Sequence, residues 1–123
     1  PPEISELTNL VNLDLSANQL SGPVPSGIGN LQDLLLLELF DNTLTGTIPS
    51  SAYTLGLLKK LDLSNNKLTG TLSQNISNLV SLGTLDVKSN LLNGTIPTFA
   101  GLTSLTFIWL ENNRFSGTFA GFE

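Results

Sequence analysis

The sequence has no cysteine, no histidine and no methionine, and only one Trp and one Tyr among 123 residues. Without cysteine no disulfide can form, so the redox compartment leaves no trace. Without Cys and His, metal sites built on thiolate or imidazole, and Ser-His or Cys-His nucleophilic catalysis, are excluded within these residues. Positive charge is also scarce: five Lys plus Arg stand against ten Asp plus Glu, for a net charge of −5 and a pI near 4.4. A nucleic-acid binder needs clustered Lys and Arg, so nucleic acid is excluded as a partner. Long apolar runs are missing too. The longest strongly apolar stretch, Leu34 to Leu37, falls far short of the roughly 18 residues of a membrane span. A membrane can be involved only through segments other than these. No signal-peptide pattern, linker, charge run or low-complexity tract occurs among these residues.

What is present is a period. The stretch Leu55 to Asn78, LGLLKKLDLSNNKLTGTLSQNISN, has the skeleton L-x-x-L-x-x-L-x-L-x-x-N-x-L-x-G-x-L, and it recurs on both sides. Its opening Leu falls at Leu7, Leu31, Leu55, Leu79 and Leu102, in steps of 24, 24, 24 and 23 residues. Its Asn falls at Asn18, Asn42, Asn66, Asn90 and Asn113, in the same steps. A fixed period of this length means a solenoid. The coils run 7–30, 31–54, 55–78, 79–101 and 102–123, after a partial coil at 1–6, in one domain. The fourth coil is one residue short between Pro97 and Leu102, on the side away from the strand, where loops tolerate deletion.

The skeleton has a physical reading. In Leu61-Asp62-Leu63 apolar residues alternate at strand period, so Leu61 and Leu63 point inward and Lys60, Asp62 and Ser64 outward. After Asn66 the chain turns, Leu68 re-enters the core, and Gly70 permits a tight bend before Leu72. One unit cannot bury its own leucines; stacked units can. The Asn stands where the chain leaves the strand, with free N–H and C=O groups around it. An amide both donates and accepts, whereas an ionised Asp only accepts. Asn18, Asn42, Asn66, Asn90 and Asn113 are therefore expected to form a buried ladder, each covered by the next coil. Asn65, one residue earlier, is expected to be an ordinary outward residue. Pro1 matches Pro25, Ile4 matches Ile28 and Phe119 matches Ile96, so both ends fall inside a coil. The expectation is an internal piece of a longer solenoid, since a soluble one needs polar caps.

The residues L-x-x-L-x-x-L-x-L-x-x-N-x-L-S-G-x-V-P-x-x-I-G-N-L, from Leu7 to Leu31, resemble the plant-type leucine-rich repeat. That family occurs in ectodomains of plant receptor-like kinases and receptor-like proteins, and in polygalacturonase-inhibiting proteins. The resemblance implies an α/β solenoid: a right-handed superhelix with a parallel sheet on the concave face. It also implies short second strands at L-S/T-G-x-I-P, and a convex side of 3-10 turns and loops. It further implies an extracellular or cell-surface location and a protein, peptide or glycan ligand, with no cofactor and no enzymatic activity. The competing functions are inhibition of a secreted cell-wall hydrolase and, from another class, ice binding.

Candidate site residues follow from the columns that outward strand residues form across such a sheet. The middle column reads Asp14, Glu38, Asp62, Asp86 and Trp109. Four carboxylates about 5 Å apart from rung to rung either form an acidic stripe for a basic or polyhydroxylated partner, or bond neighbouring coils. As paired acids for glycoside hydrolysis they lack a group that would desolvate one of them. The flanking columns read Asn12, Leu36, Lys60, Thr84, Phe107 and Ser16, Phe40, Ser64, Lys88, Glu111. Leu36, Phe40, Phe107 and Trp109 break the polar habit of this face. Trp109 beside Phe107, with Glu111 at the same edge, is the expected centre of recognition, because aromatics anchor interfaces. Around each Gly, Ser21, Thr45, Thr69, Asn93 and Ser116 precede it and Pro23, Thr47, Thr71, Thr95 and Thr118 follow it. This hydroxyl array is the feature behind the ice-binding alternative, though β-branched residues also suit a solvated short strand. Asn75-Ile76-Ser77 and Asn93-Gly94-Thr95 are N-glycosylation sequons outside the concave strands. With 13 Asn and 26 Ser plus Thr, composition alone yields about three such triplets, so the motif adds little by itself.

Overall fold

The computed structural model describes residues 2–117. In chain order the elements are η1 (Pro2–Glu6), β1 (Asn12–Asp14), β2 (Ser21–Pro23), η2 (Ser26–Asn30), β3 (Leu36–Glu38), β4 (Thr43–Thr45) and η3 (Ser50–Thr54). Then come β5 (Lys60–Asp62), η4 (Gln74–Asn78), β6 (Thr84–Asp86), β7 (Asn93–Thr95), β8 (Phe107–Trp109) and β9 (Arg114–Ser116). The η elements are 3-10 helices.

The alternating leucines make the main sheet. Strands β1, β3, β5, β6 and β8 pair in that order, all parallel. Register follows the sequence period: Leu13 lies opposite Leu37, then Leu61, Leu85 and Ile108. Parallel neighbours require a crossover, and the rest of each coil supplies it. The leucine framework fills the space between. Leu31, Leu34, Leu55, Leu58, Leu68, Leu79, Leu82 and Leu85 have no exposed surface. Leu7 departs from this pattern and is 52% exposed, because the first coil has a neighbour on one side only.

Each 3-10 helix begins where the sequence fixes the entry angle. Pro25 and Pro49 supply φ near −60°, which the ring imposes. In the third coil Ser73 takes the position, and its hydroxyl accepts the N–H of Asn75 at 3.0 Å. η2 buries Ile28, η3 buries Ala52 and Tyr53, and η4 buries Ile76. The shortened fourth coil has no helix between β7 and β8. Phe99 occupies the position of Ile76 there, fully buried, and the N–H of Leu102 reaches its carbonyl at 3.1 Å, as Leu79 reaches Ile76. A larger ring thus fills the space of a lost residue.

The second strands do not run in one sheet. β2 pairs with β4 and β7 with β9, and between them stand isolated bridges, Thr47 with Thr69 and Thr71 with Asn93. Their register slips relative to the repeat: Ser21 faces Thr43 and Pro23 faces Thr45. The expected stacking of equivalent hydroxyls is therefore not what forms. A residue after one Gly lies beside the residue before the next. Thr118, and the matches drawn for Pro1 and Phe119, lie outside the described residues. Gly70 shows why glycine stands at these bends. Its φ is +79°, and a Cβ there would come within 2.7 Å of the Thr47 methyl.

Candidate ligand-binding face

The sheet brings the outward columns together as the repeat demands. Asn12, Leu36, Lys60, Thr84 and Phe107 are successive partners across the sheet, and so are Asp14, Glu38, Asp62, Asp86 and Trp109. The acids of the middle column are not a free stripe. Asp62 and Asp86 are only 8% and 6% exposed, although strand alternation places both outward. Each lies in the middle of the sheet with a strand on either side, and its carboxylate folds back onto its own chain. Asp62 Oδ1 accepts the backbone N–H of Ser64 at 3.0 Å and its hydroxyl at 2.6 Å. Ser64, also expected outward, is buried with it. Asp86 Oδ1 accepts the N–H of Lys88, and Oδ2 takes the Lys88 ammonium at 3.1 Å. Asp14, at the exposed first strand, binds the N–H and hydroxyl of Ser16. Those bonds hold its carboxyl below the usual aspartate range. These bonds fix the strand exit of their own coil, rather than tying neighbouring coils together. Among the acids of this column, Glu38 ties two coils: its carboxylate lies 2.6 Å from the Lys60 ammonium and raises that lysine's pKa.

The aromatic end is different. Phe107 and Trp109 leave β8 on the same face and stack, ring centroids 5.6 Å apart and planes within 8°. Lys88, two residues past the end of β6, places its ammonium 5.5 Å from the Trp109 centroid and pairs with Asp86 at 3.1 Å. Phe107 is 53% exposed and Trp109 37%. Glu111 is exposed beside them, and its carboxylate has no hydrogen-bond or ion-pair partner among the described residues. Leu36 and Phe40, the other apolar breaks in the face, are half-buried two strands or more away. The face is open. A cavity of about 60 Å³ lies instead in the first coils, lined by apolar residues such as Leu13, Leu20, Ile28 and Leu44. At that size it has room for about two waters and for no ligand.

The Asn column bounds one edge of the face. Asn42, Asn66 and Asn90 are buried, Asn113 half-buried and Asn18 exposed. The direction of the ladder differs from the expectation. Each amide reaches back to the preceding coil, not forward to the next. Asn42 Oδ1 accepts the N–H of Leu20 at 3.0 Å, while its Nδ2 donates to Leu15, Leu39 and Phe40 carbonyls. Asn90 and Asn113 repeat the set. Asn18 has no strand on its N-terminal side, so it bonds only the Leu15 and Ser16 carbonyls of its own coil.

Asn65 is exposed as expected, but its backbone is not ordinary. Ala17, Asp41, Asn65, Ser89 and Asn112, each just before a ladder Asn, all have φ between 54° and 57°. This left-handed turn aims the amide at the coil behind it. Asn65 is thus not an ordinary outward residue, and its side chain also donates to Asp41 Oδ1 at 2.8 Å. The signal in the sequence was the Asp and Asn in this column, which tolerate the conformation best after Gly. Of the sequons, Asn75 sits exposed in η4 and Asn93 exposed at the start of β7.

Two family models described as leucine rich repeat match, one over residues 56–115 and one over 9–31. No curated protein matches by sequence. Solved structures do. The plant peptide hormone receptor RGFR1, in complex with RGF2, is similar at 34% identity and a TM-score of 0.92, over 97% of this chain and 19% of that one. The Arabidopsis receptor kinase HAESA, in complex with the peptide hormone IDA and the co-receptor SERK1, is similar at 42% identity and a TM-score of 0.85. That match covers 94% of this chain and 19% of HAESA. The ectodomain of the receptor kinase SOBIR1 from Arabidopsis thaliana gives 37% identity and a TM-score of 0.85 over 95% of this chain and 65% of that one. The chain therefore spans about a fifth of the length of the first two receptors. The five-fold period, the parallel sheet, the Asn ladder and both family models agree, and the chain belongs to the leucine-rich repeat family.

Proposed function

We propose that these coils form part of an extracellular receptor ectodomain whose concave sheet binds a peptide or protein ligand, with Phe107, Trp109 and Glu111 as the contact centre. The observation that carries this is the stacked Phe107–Trp109 pair, exposed on the sheet with the Lys88 ammonium 5.5 Å from the indole centroid. A preorganised aromatic pair loses little side-chain entropy on binding, and covering it removes apolar surface from water at about 25 cal/mol per Å². Receptor solenoids similar to this one are complexes with peptide hormones, which supports the ligand class. The central acids contribute less, because Asp62 and Asp86 are already bonded within their own coils. Leu36, Glu38 and Phe40 would be secondary contacts.

Size limits what these coils do alone. Five strands at ~4.8 Å spacing make a sheet about 19 Å long, and a standard interface needs ~800 Å² from each partner. The rest of the ligand would lie on other parts of the protein. Ice binding asks for flat rows of hydroxyls, and the slipped, interrupted register of the second strands works against it. The test uses the whole natural protein that carries these residues. A panel of synthetic secreted peptides is screened for binding, and hits are measured by calorimetry. Trp109→Ala should weaken binding by about 2 kcal/mol or more, whereas Asp14→Ala, at the far strand, should mainly alter salt dependence. Undiminished affinity in Trp109→Ala and Phe107→Ala, with loss in Asp14→Ala, would place recognition at the other end of the sheet.

A further inference from the structure

We infer that Asn75 and Asn93 are N-glycosylation acceptors, and that the glycan on Asn93 covers the hydroxyl-rich flank of the third to fifth coils while leaving the main sheet open. The sequon alone says little at this composition; the structure adds three independent facts. Both side chains are exposed. Neither side-chain amide makes a hydrogen bond among the described residues, whereas the Asn side chains that build the ladder and its neighbouring column are engaged. Loading a sugar on either one therefore breaks nothing in the fold. Finally, the hydroxyl residues of both triplets are compatible with the modified state. The Ser77 hydroxyl donates locally to the Gln74 carbonyl and Thr95 is exposed, so neither hydroxyl is tied to a distant part of the chain.

The chemistry is a transfer from a lipid-diphosphate-linked oligosaccharide, the donor of the secretory pathway. The amide nitrogen of Asn forms a bond to the anomeric carbon of the first sugar. The bond from that carbon to the diphosphate oxygen breaks, the lipid diphosphate leaves, and the nitrogen gives up one proton. In the folded chain Asn93 stands between Thr71, its bridge partner, and Arg114, its β9 partner. A glycan rooted there projects from the middle of the second-strand flank, beside Thr69, Thr71 and Thr95. Asn75, in η4, roots its glycan on the convex side. Neither residue lies on the strands that carry Phe107 and Trp109. The two sugars would thus restrict protein partners to the main sheet and the remaining edge.

The experiment uses the whole natural protein, secreted from plant or insect cells, and does not depend on its ligand. Glycopeptide mass spectrometry, with and without enzymatic release of N-glycans, reads occupancy at each site. The expected result is sugar on both Asn75 and Asn93 in most molecules, lost site by site in Ser77→Ala and Thr95→Ala, which keep the asparagines. Asn75→Gln and Asn93→Gln should each remove one glycan, whereas Asn78→Gln, outside any sequon, should remove none. Secreted, folded protein with either asparagine bare in most molecules would overturn the proposal for that site. For the shielding, an antibody raised to the Thr69–Thr71 flank should bind only after the glycans are released; equal binding before release would overturn it.

Discussion

The side-chain oxygen of Asn66 accepts the backbone N–H of Leu44, 3.0 Å away across the junction between two coils. The same amide donates to the carbonyls of Leu39, Leu63 and Ser64. One side chain therefore satisfies groups on both sides of the junction, all of them buried. Asn66→Ala should destabilise the fold by about 1–3 kcal/mol for each buried group left without a partner. Asn66→Asp should be at least as costly, because a carboxylate cannot donate to three carbonyls. Asn18→Ala removes two exposed bonds only and should cost about 1 kcal/mol or less. Urea denaturation of the three variants checks this; equal losses at Asn18 and Asn66 would remove the ladder's directional reading.

The residue before each ladder Asn carries the left-handed turn, and this gives an order of substitutions. Asn65→Gly should be close to neutral. The lost bond to Asp41 is exposed, and glycine adopts φ 54° without strain. Asn65→Ala should cost about 1–2 kcal/mol, the penalty for an L-residue in this region. Asn65→Val should cost more, since branching at Cβ makes that region an outlier. Thermal or urea melts rank the three, and a Val variant as stable as the Gly variant would contradict the geometry.

A contact between Gly70 and Thr47 can be isolated by a double-mutant cycle. Gly70→Ala meets both the left-handed φ and the Thr47 methyl at 2.7 Å, whereas Gly22→Ala, at φ +78°, meets nothing within 4 Å. Gly70→Ala should therefore lose about 1–3 kcal/mol more than Gly22→Ala. Thr47→Ser deletes the clashing methyl and should recover most of that difference. If Thr47→Ser does not rescue, the Thr47 methyl is not the cause of the difference.

Alkaline stability depends on Tyr53, which is buried and has its pKa raised above 10.0 chiefly by burial. Its folded pKa lies above its unfolded one, so its contribution is intact below about pH 10 and is lost as pH rises through the folded value. Lys60, raised by Glu38, acts in the same direction in the same window. Tyr53 is the chain's one tyrosine, so phenolate absorbance follows it alone. The expected outcome is late ionisation coupled to unfolding. Tyr53→Phe should flatten the alkaline loss, after an initial cost from freeing the Ser73 N–H that its oxygen now accepts at 3.3 Å. Ionisation at the ordinary pH with the fold intact would contradict the burial argument.

Much of this was legible because period and chemistry coincide. Leu31, Leu55 and Leu79 recur at a fixed interval, and only an amide suits the place where Asn42, Asn66 and Asn90 stand. Repeat spacing identifies equivalent residues but not hydrogen-bond partners. That is why Thr45 looked aligned with Ser21 when it pairs with Pro23. Strand alternation gives the direction of Cβ, not the path of the side chain. Asp62 starts outward and still ends buried against Ser64. In the aromatic site, proximity of Phe107 and Trp109 follows from their two-residue spacing. The Lys88 ammonium over the indole does not, because it depends on a rotamer chosen by Asp86.

The backward reach of the ladder gives the solenoid an arrow. Each coil leaves the N–H after its turn, such as that of Leu44 or Leu68, to be satisfied by the amide one coil later. During synthesis every coil is therefore finished by its successor, as a course of masonry is locked by the one laid on it. Wear at the two ends is unequal. Stripping a coil from the N-terminal side exposes an amide to water, which can hydrate it. Stripping one from the C-terminal side removes the amide that accepts main-chain N–H groups such as those of Leu44 and Leu68.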